Sequence, residues 1–306
     1  VNFTPRQYDM QDDATRRRIF WLLKRLTSYA LWKRKRDAWR AFAEAYEHAV
    51  NTWPKDQPEQ MRVQELPGIA KVQQLYDDGL SRLAKGQRDV WRWGAELHEA
   101  HRLHGVMAQF LYPHPDYWER GHQEAQYPPN VEKLHKLIRS GQFQGDEAAL
   151  EVLFGARSWA HWKGPETLLN PDAYERDFYT SQFPVFPASL EPVPQGSRRT
   201  IWSGQTVPVD GIWEPVAVEQ RYAFFLFPVG EKKLHNSGCF NYLVRKTKAP
   251  NHVTYVSGAK HWLRCEPVHW RLLWEDTRYR DGVVPDEFEY FENDADQPTP
   301  PARPRF

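Results

Sequence analysis

The chain has 306 residues, 26% of them charged and 41% hydrophobic, with a formal net charge of +1. That is about two average domains with ample apolar material for a core, which excludes a globally disordered chain and an overall charge suited to coating nucleic acid. No apolar run reaches the roughly 18 to 20 residues that cross a bilayer, the start of the chain is charged where a secretory leader would be apolar, and Cys239 and Cys265 are too few for a disulfide framework. The expectation is a soluble protein of the reducing cytoplasm, with no membrane partner.

Residues 12–53 read as helix, because Ile19, Leu22, Leu23, Leu26 and Ala30 recur at helical spacing and Trp39, Phe42, Ala43, Tyr46 and Val50 form a second stripe. Asp12 or Asp13 can cap its start, Pro54 closes its end, and the basic run at 33–36 marks a bend. A second helical stretch starts after Pro67-Gly68 with Ile69, Val72, Leu75 and Tyr76, and restarts after Gly86 through Val90, Trp93 and Leu97. Shorter helices are expected near 130–139 and 146–162, which makes a bundle. From 164 to 197 prolines remove backbone donors and fix φ, so helix cannot continue. Beyond that stretch, 200–202, 216–227, 239–246, 252–256 and 262–274 are rich in β-branched and aromatic residues, as in antiparallel strands.

The fold class expected is therefore α+β, an N-terminal α-helical bundle followed by a small antiparallel β-rich domain. Its parts are an α-helical domain over 1–163, a Pro-rich connection over 164–197, a β-rich domain over 198–297 and a flexible tail over 298–306.

Chemistry-bearing motifs are scarce. There is no Gly-rich phosphate loop, nucleophile elbow, His-Glu-x-x-His or paired-Cys motif, so no catalytic, metal-binding or cofactor-binding residue is assigned. His98, His101 and His104 follow one another at three-residue spacing beside Glu99, but that spacing drifts around a helix and lacks a second ligand cluster. Glu287 and Glu289 resemble an acid and base pair, yet they sit among Asp281, Asp286 and Glu292, where a solvated acidic face is the simpler reading. The basic N-terminal helix, with Trp21, Trp32 and Trp39, has the residue types of a nucleic-acid binder, and equally those of an amphipathic helix with basic residues outward and aromatics in the core. Asp210-Gly211 suits a tight turn with positive φ that seats Trp213.

The run Trp202-Ser203-Gly204-Gln205, Val207-Pro208 and Gly211-Ile212-Trp213-Glu214-Pro215, then Asn241-Tyr242-Leu243 and Ala249-Pro250, resembles the immunity protein 71 and 72 families of bacterial polymorphic toxin systems. The resemblance continues through Trp270, Arg271, Trp274, Arg278-Tyr279, Asp281-Gly282 and Pro285-Asp286-Glu287. On it, Gly204, Pro208, Gly211, Trp213, Pro215, Trp270, Arg271, Trp274, Tyr279 and Gly282 are motif residues with structural roles. The family implies a cytoplasmic antidote that binds a cognate antibacterial toxin delivered by machinery such as type VI secretion, without catalysis of its own.

An aromatic-rich chain of 14 Trp, 14 Tyr and 16 Phe has the raw material of an interface, where such side chains supply most of the affinity. Glu275, Asp276, Asp281, Asp286, Glu287 and Glu289 form the expected toxin-contact surface, able to steer a basic partner. An NAD-consuming or nucleic-acid-targeting toxin is the class of partner in view. Two alternatives stand beside binding: a nucleic-acid-associated protein using the basic helix, and an enzyme that reverses a toxin's modification.

Overall fold

The computed structural model describes residues 8–54, 61–111, 133–134, 137–138, 160–161, 164–171, 175–176, 179–180, 183–223, 227–255 and 263–292. Four N-terminal helices precede a region of mainly antiparallel sheet, an α+β architecture. The helices are α1 (Asp13–Leu26), α2 (Tyr29–Thr52), α3 (Leu66–Leu83), α4 (Glu96–Leu111) and the short α5 (Pro165–Leu169). The strands are β1 (Ala160–His161), β2 (Glu175–Arg176), β3 (Tyr179–Thr180), β4 (Thr200–Trp202), β5 (Gly211–Ala223), β6 (Phe227–Asn236), β7 (Asn241–Leu243), β8 (Asn251–Tyr255), β9 (Leu263–Glu266) and β10 (His269–Glu275). Two compact units are each assembled from separated stretches: a sheet unit from 1–26, 147–173 and 186–278, and a helical unit from 27–146, 174–185 and 279–306.

In the helical unit, Trp32, Lys35, Trp39, Phe42, Tyr46 and Ala49 of α2 are buried at alternating spacings of three and four, the pattern that keeps one seam facing a partner helix. Helix α3 answers with Ile69, Val72, Tyr76, Leu80 and Leu83, and Trp39 Nε1 donates to the Ile69 carbonyl at 3.1 Å. Each such large apolar side chain contributes roughly 2 kcal/mol when fully buried. The chain breaks at Thr27–Ser28, because Ser28 takes an extended conformation and its hydroxyl accepts from Leu31 N–H as the N-cap of α2. The expected single helix over 12–53 is thus two helices, and its expected bend at 33–36 lies inside α2. There Lys33 and Arg36 pair with Asp37 and Asp77 while Lys35 turns into the seam.

The first turn of α2 is finished by residues far along the chain. Glu287 accepts from Ala30 N–H at 2.9 Å, the Tyr279 hydroxyl oxygen accepts from Tyr29 N–H at 2.8 Å, and the same hydroxyl donates to Glu287. Together with Ser28 they satisfy three of the amide donors that a helix start leaves open. Glu287 also places a carboxylate at the positive end of the helix dipole. Helix α4 begins at Glu96, not near Val90, because residues 88–91 close a 3-10 turn and Gly94 takes a left-handed φ of 79°. The expected helices at 130–139 and 146–162 lie largely outside the described residues. Residues 133–134 and 137–138 are helical, whereas Ala160–His161 is a strand.

In the sheet unit, five strands run in the order β4-β10-β5-β6, with β7 paired to the first residues of β5, and every pairing is antiparallel. A second sheet, β1-β8-β9, contains one parallel pairing, β1 with β8. One face of the larger sheet carries Trp213 and Trp270, which pack with Val207, Leu243 and Ala249 into the core. Trp270 Nε1 donates to the Pro250 carbonyl at 2.8 Å, so its one polar atom is satisfied inside.

Three strand expectations change. β5 starts at Gly211, inside the stretch read as a turn; 262–274 is two strands; and β6, whose Gly and Lys content masks its pairing, was not read as a strand. Gly211 is needed there for closeness, not for a hairpin: a Cβ would sit 2.1 Å from the Trp274 carbonyl oxygen on the neighbouring strand. The expected tail at 298–306 lies outside the described residues.

Candidate functional site

Side chains alternate across a strand, so the sheet face opposite the core is fixed by register. Glu214 lies opposite Arg271, Val216 opposite His269, and Val218 opposite Leu234. That face therefore carries a buried carboxylate, two valines, an arginine, a histidine and a leucine across three strands. Glu214 has no solvent-exposed side-chain surface, and the Arg16 guanidinium from α1 reaches it at 3.3 Å. Arg271 Nε donates to its other oxygen at 2.6 Å, and the Asn236 amide donates at 3.0 Å. One carboxylate thus fixes two arginines, whose side chains keep about a fifth of their surface exposed. Buried carboxylates survive only when paired and hydrogen-bonded in this way.

The segment 193–198 crosses the same face. At Gly196 a Cβ would lie 2.8 Å from the Arg271 stem, so the missing side chain lets the segment lie against the arginine. The result is a cleft of about 680 Å³ whose cationic lining is Arg16, Arg198, Lys232 and Arg271, with Val193, Val218 and Leu234 as apolar floor. His269 also lines it, and burial together with the charge of Lys232 lowers its pKa, favouring the neutral ring. Thr200 Oγ1 lies 3.3 Å from His269 Nδ1, but no carboxylate among the described residues orients the other nitrogen, as a nucleophile and base pair requires. Among the described residues Arg16 and Arg271 share the single Glu214 carboxylate and Lys232 stands at the rim, so these groups leave the groove with a surplus of positive charge. Sequence reading assigned Arg271 a structural role and passed over Glu214 and Arg16. The available signal was a glutamate in the apolar run Gly-Ile-Trp-Glu-Pro, which demands a cationic partner once the run is a buried strand.

The residues expected to form an acidic contact surface do not share one environment. Asp276 is buried, accepting from the Tyr242 hydroxyl at 2.8 Å and pairing with Arg278 at 2.9 Å. Glu287 is buried beneath the start of α2. Burial and internal partners withdraw these two from any partner's reach. Glu275 is half-buried on β10, while Asp281, Asp286 and Glu289 are exposed in the helical unit, where Val283 and Phe288 beside them are also exposed.

Among the motif residues, Trp213 and Trp270 are core, Pro215 is buried in β5, Pro208 is exposed and Trp274 is partly exposed. Trp274 packs edge-on against Phe20 of α1. Gly204, Gly282 and Tyr279 take left-handed φ values of 83°, 78° and 67°. The basic residues of the first two helices are largely engaged internally. Arg16 meets Glu214, Arg17 meets Asp13, Lys24 meets Glu191 at 2.5 Å, and Arg36 meets Asp77. Trp21, Trp32 and Trp39 are buried and offer no stacking platform.

The three spaced histidines diverge. His98 contacts Glu99 and the Trp93 ring, whereas His104 lies between the Tyr76 hydroxyl and the Ile138 carbonyl. Among the described residues no group of three His, Cys, Asp or Glu side chains is placed to hold a metal. No helix of the described residues is long and apolar enough to cross a membrane.

Comparison with protein families decides the identity. The model of immunity protein 71 matches residues 10–184, more than half of the chain. The chain belongs to the immunity protein 71 family. The model of immunity protein 72 matches residues 192–292, so the ordered motifs from Trp202 to Glu287 fall in that second region. Neither curated proteins nor solved structures give a match. The immunity protein 71 region contributes α1 to the sheet unit, and the immunity protein 72 region contributes Tyr279 and Glu287 to the helical unit. Membership in the immunity protein 71 family, with the immunity protein 72 match beside it, implies neutralisation of a cognate toxin.

Proposed function

We propose that this protein neutralises a cognate antibacterial toxin in the cytoplasm by forming a stoichiometric complex with it, and that it performs no catalysis. The family membership carries the reading. Its surface chemistry supports it: an electropositive groove, and an exposed segment in which Val283 and Phe288 stand among Asp281, Asp286 and Glu289. Apolar anchors ringed by charge are the composition from which interfaces draw affinity and association rate. Within this reading Asp281, Asp286 and Glu289 are the acidic toxin contacts, and the toxin is one delivered by contact-dependent machinery such as type VI secretion. An NAD-consuming or nucleic-acid-targeting enzyme is the toxin class proposed.

The test is direct. The polypeptide encoded beside this gene is purified and mixed with the antidote, and a complex eluting as one species on gel filtration is expected, with toxin activity titrated to zero at one antidote per toxin. Absence of a complex would refute binding. Protection at far below equimolar antidote would replace it with an enzymatic reversal.

A further inference from the structure

We propose that the basic groove of the sheet unit receives an acidic segment of the toxin, its carboxylate side chains seating between Arg16, Arg271, Arg198 and Lys232. The inference rests on the neutralisation reading and names the chemistry of the partner at one surface. Glu214 neutralises only one of the two arginines it holds, because a single carboxylate serves both. Arg198 and Lys232 are exposed at the rim, and Lys232 has no ion-pair partner among the described residues. The groove is therefore left with positive charge that an incoming anion would complete.

Preorganisation strengthens the case. The Asn236 amide holds the Glu214 carboxylate, the carboxylate holds the guanidinium groups, and the open side of Gly196 lets the 193–198 segment lie against the Arg271 stem. An arginine already fixed in position loses little side-chain freedom when it meets a carboxylate, and its planar fork suits that geometry. Most of the desolvation of Arg16 and Arg271 is already complete, since their side chains keep only 20% and 21% of their surface exposed.

The occupant is a peptide segment and not a nucleic acid. Among the described residues no Phe, Tyr or Trp lines the groove, so bases would find no stacking surface there, and no Gly-rich loop among them turns amide groups toward a phosphate. The aliphatic floor of Val193, Val218 and Leu234 instead suits the stems of amino-acid side chains flanking an acidic residue. His269, favoured as the neutral ring, adds no charge to attract phosphate and leaves a hydrogen-bonding group at the wall.

The experiment uses the full chain, with a fluorescein-labelled oligoglutamate peptide followed by anisotropy at low ionic strength, and single-stranded oligothymidylate and inorganic triphosphate as competitors. Lys232→Glu and Arg198→Glu are chosen because both side chains lie outside the Glu214 pairs, and thermal melts confirm that each variant is folded. The peptide is expected to bind saturably and less tightly with added salt, and each reversal is expected to weaken it about tenfold. Lys71→Glu, an exposed reversal on α3, is expected to change nothing.

Absence of peptide binding, equal binding by the groove variants, or stronger competition by oligothymidylate or triphosphate than by unlabelled peptide would overturn the assignment. The same variants are then tested against the toxin. If wild type forms the complex and the groove variants form it with unchanged affinity, the groove assignment fails while neutralisation stands. If wild type forms no complex, it is neutralisation by binding that fails, and the peptide titration still decides the groove.

Discussion

Replacing Glu214 by Ala removes the one acceptor shared by Arg16, Arg271 and Asn236. The carboxylate has no exposed side-chain surface, so two guanidinium groups would lose their counter-charge while remaining mostly out of water. Breaking a buried ion pair by removing one partner costs about 3 to 5 kcal/mol, against a total stability of roughly 5 to 15 kcal/mol for a domain. Glu214→Gln keeps the volume and one acceptor oxygen, and should lose less, about 1.5 to 3 kcal/mol, the value of hydrogen bonds to a charged group. Glu219→Ala on the same strand is the control: its carboxylate is 59% exposed and among the described residues meets only His235, so its loss should stay within about 1 kcal/mol. Urea unfolding followed by Trp fluorescence suits the question, because Trp213 and Trp270 lie on the opposite face of the same sheet. A loss in Glu214→Ala no greater than in Glu219→Ala would refute the claim that this carboxylate organises the groove.

Glu287→Ala should lower stability by about 1 to 2 kcal/mol, and Tyr279→Phe by about 1 kcal/mol, because each leaves an amide at the start of α2 without its acceptor. Thermal melts of helical circular dichroism check both, and unchanged melting temperatures would exclude the cap. His101 is held at a pKa of about 3 by burial first, then by the charges of Lys35 and His98, against an ordinary 6.5. The unfolded chain therefore takes up a proton below pH 6.5 that the folded chain refuses, so this stability is complete above pH 6.5 and is lost as pH falls toward 3. The decrease is about 1.4 kcal/mol per pH unit, or about 2 kcal/mol between pH 7 and pH 5. His101→Gln should flatten that slope in urea titrations, whereas Asp12 and Glu99, whose pKa values lie below 3.8 and 4.5, act at lower pH. A slope identical in wild type and variant would dismiss His101 as its source. Charge reversal at Asp281, Asp286 and Glu289 together should slow association with the toxin and weaken its salt dependence in stopped-flow mixing; unchanged rates would remove that segment from the interface.

The helix-then-sheet order was legible because apolar residues switch from a spacing of three and four to β-branched and aromatic runs across a proline-rich stretch. Local pattern could not show that Ser28 ends one helix and caps the next, since its cap is completed by Tyr279 and Glu287, about 250 positions away. The same distance hid the fate of the acidic residues. A carboxylate in a charged run reads as solvated, yet Asp276 and Glu287 are drawn inward by an arginine, two tyrosines and a helix start. Strand β6 carries no clear signal because, among the described residues, it pairs along one edge only, where lysines that usually signal a loop are tolerated. Gly-Ile-Trp-Glu-Pro was visible as a motif, but its glutamate acquires meaning only when α1 brings Arg16 across the sheet.

The closing of α2 by Tyr279 and Glu287 also sets an order in time. While the ribosome is still making the strands, α2 has two backbone amides waiting for residues not yet synthesised. A truncated antidote released early would carry that frayed start as a mark of incompleteness, open to proteases. Synthesis of Tyr279 and Glu287 seals it, so durability of this helix start in the cell would arrive only once those two residues are made.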